Sequence, residues 1–158
     1  MRITDQYFWN FVFGVFFLIL IVMGAIILQT ESRIPLAELK FTDYALVTLA
    51  TWRLTRLVVC DTIMKFFREQ FYNLEKDGKG YVLEKPATGP RRTLADLVNC
   101  SWCFGMWAAA MVIFFYLITP YAVFPVMLLA ISAVGSTLQI FGNLIGHKAE
   151  QLKKVNEG

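Results

Sequence analysis

Two features of this chain combine residue types and spacing that can do chemistry. They are a pair of arginines one turn apart inside an apolar stretch, and a Cys-x-x-Cys pair. Arg53 and Arg56 lie within YALVTLATWRLTRLVVC, residues 44 to 60, and Asp61 follows directly. A charge at bilayer depth costs about 2.5–3.5 kcal/mol on insertion scales, so an intramembrane arginine faces a partner or a polar cavity. Gln139 and Asn143, in a later apolar run, offer carbonyls, and Asp61 is the nearest carboxylate. Arg53, Arg56, Asp61, Gln139 and Asn143 are therefore expected to form a polar intramembrane cluster. Such a cluster fixes helix packing; it can also receive phosphate head groups or an anionic partner, because guanidinium suits bidentate phosphate contacts.

Cys100-Ser101-Trp102-Cys103 leaves three readings open. A redox pair needs an accessible thiolate, which a helix N-terminus and nearby arginines both favour. A metal site needs about four ligands for structural zinc. Cys60, Cys100, Cys103 and His147 fall on one membrane face by the topology below, which would make a Cys3His set. The third reading is packing by small thiols. His147 is the only histidine, and no span carries paired carboxylates. No catalytic residue is assigned, and no cofactor is expected apart from zinc under the metal reading.

These residues need apolar elements to position them. Hydrophobic residues make up 57% of the 158 and charged ones 17%, which is membrane-protein composition. The expected class is all-α: a polytopic single domain of four spans at about 7–28, 43–60, 102–118 and 121–146. The first run, FVFGVFFLILIVMGAIIL, is uncharged and too long for a signal peptide, and QTESRIP after it offers no small-residue cleavage site. Thr119-Pro120 makes a turn too short for anything but an antiparallel hairpin of spans three and four.

Orientation follows from Lys and Arg. Arg2, the seven basic residues of loop 61–101 and Lys148, Lys153 and Lys154 fall on one side; only Arg33 and Lys40 fall on the other. The positive-inside rule puts the loop and both termini in the cytoplasm of a bacterial inner membrane. In the loop, DTIMKFFREQFYNL has apolar residues at helical spacing, expected as an amphipathic helix on the membrane surface or on the bundle end. DGKG and ATGP signal turns around a short strand at Tyr81 to Leu83, and Thr93 with Asp96 reads as a capping box. The net charge of +3 gives no reason to expect nucleic acid. Three cysteines are an odd count and make no disulfide framework.

Thr51-Trp52-Arg53-Leu54-Thr55-Arg56-Leu57, Asp61-Thr62, Arg68, and Leu97-Val98-Asn99-Cys100-Ser101-Trp102-Cys103 with Gly105 and Trp107 resemble the domain of unknown function 1360 family. That family comprises small bacterial and phage membrane proteins, some linked to sporulation. Its pattern often has His where Trp52 stands and Pro where Ser101 stands. The resemblance covers roughly residues 45 to 115 and implies a membrane protein without a known activity. Two function classes follow. One is a non-enzymatic assembly or accessory module, partnered by the bilayer, other membrane proteins or its own copies. The other is a thiol- or metal-dependent membrane protein using the Cys100/Cys103 end.

Overall fold

The computed structural model describes residues 3–77 and 80–156. It is all-α in class with a single β-hairpin. Its elements are α1 (Ile3–Glu31), α2 (Phe41–Val59), a short α3 (Lys65–Glu69), strands β1 (Asn73–Asp77) and β2 (Gly80–Glu84), α4 (Pro90–Asn99), α5 (Ser101–Ile118) and α6 (Val123–Asn156).

Among the described residues, three stretches are long and apolar enough to cross a membrane: Asp5–Glu31, Ser101–Ile118 and Pro120–Lys153. The stretch 43–60, expected as a fourth span, is helical as α2 but is not among them. Asp43, Arg53 and Arg56 explain this, because they bring charge into a 19-residue helix.

Spans three and four are joined by the short turn expected at Thr119-Pro120, but they are spread apart by α2. α5 and α6 share the turn at Pro120–Ala122, yet α2 packs against both of them far more extensively than they pack on each other. The helix least suited to lipid thus takes the most protected place. Ala50 of α2, Ala108 of α5 and Ala133 of α6 are fully buried. Residues this small let helix backbones approach closely, which is how helices associate in an apolar solvent. The core around them is Ala50, Val112, Tyr116, Leu117 and Val126. α1 leans on α4 and α5 and leaves most of its apolar surface open.

Both ends of the α2–α5 pair are pinned. At one end the Tyr116 hydroxyl donates to Asp43 Oδ1 at 2.7 Å, and the Arg33 amide donates to the Leu117 carbonyl at 3.0 Å. Asp43 Oδ2 also accepts the Lys40 amide at 2.9 Å, closing the first turn of α2. At the other end a side chain on Gly105 would meet Thr55 Oγ1 at 3.8 Å, so α5 starts where α2 finishes.

The loop departs from expectation in three places. The amphipathic helix shrinks to a 3-10 turn (Thr62–Met64) and five residues of α3, because Phe71 and Tyr72 turn the chain into β1. Ile63 and Phe66 still face outward, and Arg68 donates to the Val58 carbonyl at 2.8 Å, capping α2. The strand expected at Tyr81 to Leu83 is part of β2, paired antiparallel with β1 from Asn73↔Glu84 to Asp77↔Gly80. The DGKG turn between them falls partly outside the described residues. Finally, α4 starts at Pro90, three residues before the expected cap. Gly89 sits at φ 100°, a backbone other residues resist, and Pro90 fits the first helical position. Thr93 is then free for tertiary work. Its buried hydroxyl donates to Asn10 Oδ1 at 3.1 Å and accepts from Gln6 Nε2 at 2.9 Å, which docks α4 on α1.

α6 runs ten residues past the expected end at Gly146, to Asn156. Its continuation, KAEQLKKVN, is rich in strong helix formers, and Gly142 and Gly146 do not interrupt it.

Candidate functional site

The arginine-bearing end of α2 brings together part of the expected cluster. Arg53 Nη1 pairs with Asp61 Oδ2 at 3.0 Å, and Arg53 Nε donates to Ser132 Oγ at 3.0 Å. The two charged side chains are 18% and 30% exposed, a setting in which a hydrogen-bonded pair contributes more than a surface pair does. Ser136, one turn on, donates to the Ser132 carbonyl at 2.7 Å and stays within α6.

Arg56 is handled differently. Its Cζ lies 5.7 Å from the centre of the Trp52 ring, a cation–π contact one turn back along α2. Among the described residues it has no hydrogen-bond or ion-pair partner. Gln139 and Asn143 are exposed and bond to neither guanidinium. Geometry supplies the reason. Thr48, Trp52, Arg56 and Cys60 follow one another at i,i+4 spacing as a stripe along α2, and Arg53, at the edge of that stripe, faces α6 at the level of Ser132. Gln139 lies seven residues further on, about 10 Å along the axis.

The Cys100/Cys103 end is a second centre. Cys100 caps α5: its sulfur accepts the Cys103 amide at 3.3 Å and contacts the Cys103 sulfur at 2.8 Å. Both thiols are free. Ionised Cys100 accepts hydrogen bonds from the Cys103 thiol, the Cys103 amide and the Trp102 amide, and these hold its pKa below the ordinary thiol range. Cys60 ends α2 as an exposed free thiol, and His147 is exposed on the far part of α6. Among the described residues no three His, Cys, Asp or Glu side chains gather into a metal-binding group, so the Cys3His set is not assembled. Cys100 and Cys103 stand together at the start of α5, but Cys60 ends α2 and His147 lies far along α6, and neither joins them.

The Cys100 environment carries a direct test. In a Cys60→Ser background, alkylation of Cys100 should rise through a midpoint below about 8.5, the ordinary thiol value. The thiolate is the reactive form, so a depressed pKa means reaction begins at lower pH. Cys103→Ala removes the thiol donor and should move the midpoint up. A midpoint that stays put in Cys103→Ala contradicts the assignment; iodoacetamide rates across pH measure it.

Two polar groupings beside the thiols lie outside the clusters expected from the sequence. Lys85 and Arg92 both bond Asp96, Arg92 at 3.3 Å. Asn99 donates to the Tyr72 hydroxyl at 2.8 Å, tying α4 to the loop. The i,i+4 spacing of Arg92 and Asp96 was visible; the Lys85 contact depends on where the hairpin returns the chain.

A helical protein with three stretches able to cross a membrane, a charged helix protected between two others and a capped dithiol at one end is the class these features define. The family described as Protein of unknown function (DUF1360) matches residues 46–142, and the chain belongs to it. It is 34% identical over 105 residues to UPF0713 protein YngL of Bacillus subtilis, covering 65% of this chain and 79% of the relative. It is 37% identical over 101 residues to sporulation protein YjcA of the same organism, covering 60% and 85%. The matched region holds α2, α4, α5 and the first part of α6, and therefore both centres. No solved structure matches.

Proposed function

We propose that this protein is an assembly module of a bacterial inner membrane, crossing it four times and joining copies of itself through α6. α2 serves as the second crossing. Its 19 residues span about 28 Å at 1.5 Å per residue, close to a hydrocarbon core of about 30 Å. Its charges are answered from within the protein, Asp43 by Tyr116 and Arg53 by Asp61 and Ser132. Four crossings put the loop and both flanking ends on the Lys/Arg-rich side, the cytoplasm.

The observation that carries the assembly reading is α6. It is 34 residues long, about 51 Å, so roughly its last 16 residues run past the end of α2. Met127, Ile131, Val134, Leu138, Phe141, Ile145 and Leu152 are all exposed. They alternate at spacings of four and three, with Lys148 filling the one remaining place. That is a coiled-coil seam with a single polar position, which sets register. Gly135, Gly142 and Ala149 recur every seven residues beside it, and a side chain on either glycine would meet nothing within 4 Å. Two copies in one membrane share an orientation, so their α6 helices run parallel and can match residue for residue. Past residue 146, where the expected fourth span ends, Leu152 would otherwise face water, and burying it against a partner contributes roughly 1.5–3 kcal/mol.

Ile145→Asp should convert the oligomer to monomer in mild detergent, and Ile145→Cys should cross-link to a second copy. Light scattering and non-reducing gels read the two results. A monomeric wild type with no Ile145→Cys dimer contradicts the reading. The sporulation link belongs to the relative YjcA; a role for this chain in that process is an extension of the proposal.

A further inference from the structure

Two cavities meet along α1 and α5. The first, about 680 Å³, lies between α1, α4 and α5 and is lined by both Cys100 and Cys103. Phe13, Phe17 and Trp107 form its apolar wall, and Asn10 and Asn99 are among its polar groups. The second, about 420 Å³, continues between α1 and α5 toward their other ends and is lined almost wholly by apolar side chains, Gly24 and Phe114 among them. Phe17 and Trp107 line both, their ring centroids 4.6 Å apart, so the two cavities adjoin across this pair as one groove along α1 and α5. One end is polar and carries a dithiol. The rest is an apolar track beside α1, a helix whose outer surface is open to lipid.

We propose that Cys100 and Cys103 are a redox-active dithiol that passes two electrons to a prenylated quinone held in this groove, its ring at the thiols and its tail between α1 and α5. This goes beyond the assembly reading and rests on different residues. Several observations select the quinone over other amphiphiles. Lys85 and Arg92 are both engaged by Asp96, and Arg92 also donates to the Pro86 carbonyl at 3.1 Å, so the cations at this end are already partnered. The side-chain amide of Asn10 suits a neutral ring carbonyl better than a phosphate, whereas both amide hydrogens of Asn99 are already given to Tyr72 and Ala95. A phospholipid would also leave the paired sulfurs without a role, whereas a quinone is an apolar-tailed acceptor of two electrons.

The chemistry closes on these groups. Cys100 thiolate adds to the quinone ring, forming a carbon–sulfur bond. Cys103 thiolate then attacks the Cys100 sulfur, forming the disulfide and breaking that bond. The electron pair stays on the ring, and the two protons given up by the thiols go to the two ring oxygens as quinol leaves. The attacking sulfur needs thiolate character and access. The α5 N-terminus and the Cys103 amide provide the first, and the second comes from a half-buried Cys100 that lines the cavity beside an exposed Cys103.

The test uses the full chain, reduced and purified in mild detergent, mixed without oxygen with a naphthoquinone bearing a four-unit isoprenoid tail. Quinol absorbance and loss of maleimide-reactive thiol should rise together, one quinol for two thiols. Diamide, a water-soluble oxidant that needs no groove, controls for thiol access in every variant. Cys103→Ser should end quinol release. Gly14 lines the thiol cavity, and a side chain there would meet nothing within 4 Å, so Gly14→Leu fills space without strain. It should slow quinone-driven oxidation by about tenfold or more through misplacement of the ring. Wild-type thiols that persist with the quinone while diamide oxidises them overturn the proposal. So does a Gly14→Leu rate equal to wild type, which would place the reaction outside the groove.

Discussion

Arg53→Leu should be the most damaging single change at the polar centre, lowering stability by about 2–4 kcal/mol. Leucine inserts into lipid more easily than arginine, so a loss must come from the groups left behind. Asp61 would keep its charge with no cation at 3.0 Å, and Ser132 would lose its donor. Removing one member of a mostly shielded pair costs more than the pair contributes when intact, because the remaining charge is uncompensated. Arg53→Lys should recover part of the loss. An ammonium can reach Asp61 but cannot serve two acceptors with separate nitrogens of one rigid fork. Arg56→Leu sets the scale, since it breaks no hydrogen bond or ion pair among the described residues and its contact with half-exposed Trp52 contributes about 1 kcal/mol. Unfolding in detergent by sodium dodecyl sulfate titration orders the variants. An Arg56→Leu cost equal to or above that of Arg53→Leu would contradict the assignment of roles.

Ala50→Leu should cost about 1–3 kcal/mol despite adding apolar atoms. Ala50 is fully buried at the place where α2 packs between its neighbours. A larger side chain there must push helices apart. Lipid offers no compensating gain, because apolar surface is no better buried in protein than in acyl chains. Ala25→Leu, the same change on the exposed face of α1, should be close to neutral. The same titration measures both. Equal effects at the two positions would mean that α2 is not clasped between α5 and α6.

The sequence disclosed the elements better than their neighbours. Uncharged runs near 11–28 and 102–118 can hardly be anything but long helices, and the structure has them as α1 and α5. Small-residue positions at 50, 108 and 133 follow no local rule that separates a helix crossing from a lipid-facing alanine. The wedge of α2 between α5 and α6 was therefore not legible, and the short Thr119-Pro120 turn argued against it. In the polar centre, residue types pointed to a held arginine, and helical spacing suggested Arg56. Which arginine meets α6 depends on the rotation of α2 by a fraction of a turn, a quantity fixed by Ala50 and its neighbours and not by the stripe itself. The thiol pair was visible as a motif. The groove beside it was not, because its walls come from α1, α4 and α5, joined across 90 residues of chain.

The passage of α2 across the bilayer is the point on which the topology turns, and a labelling experiment addresses it directly. Single cysteines placed at Glu38 and at Lys148, in a background without the native three, are probed in intact cells and in lysed ones with a membrane-impermeant maleimide. Four crossings predict that Glu38→Cys labels from outside and Lys148→Cys only after lysis. With α2 left out of the membrane, the three remaining spans put both positions on the same side, and labelling of both from one side would contradict the account.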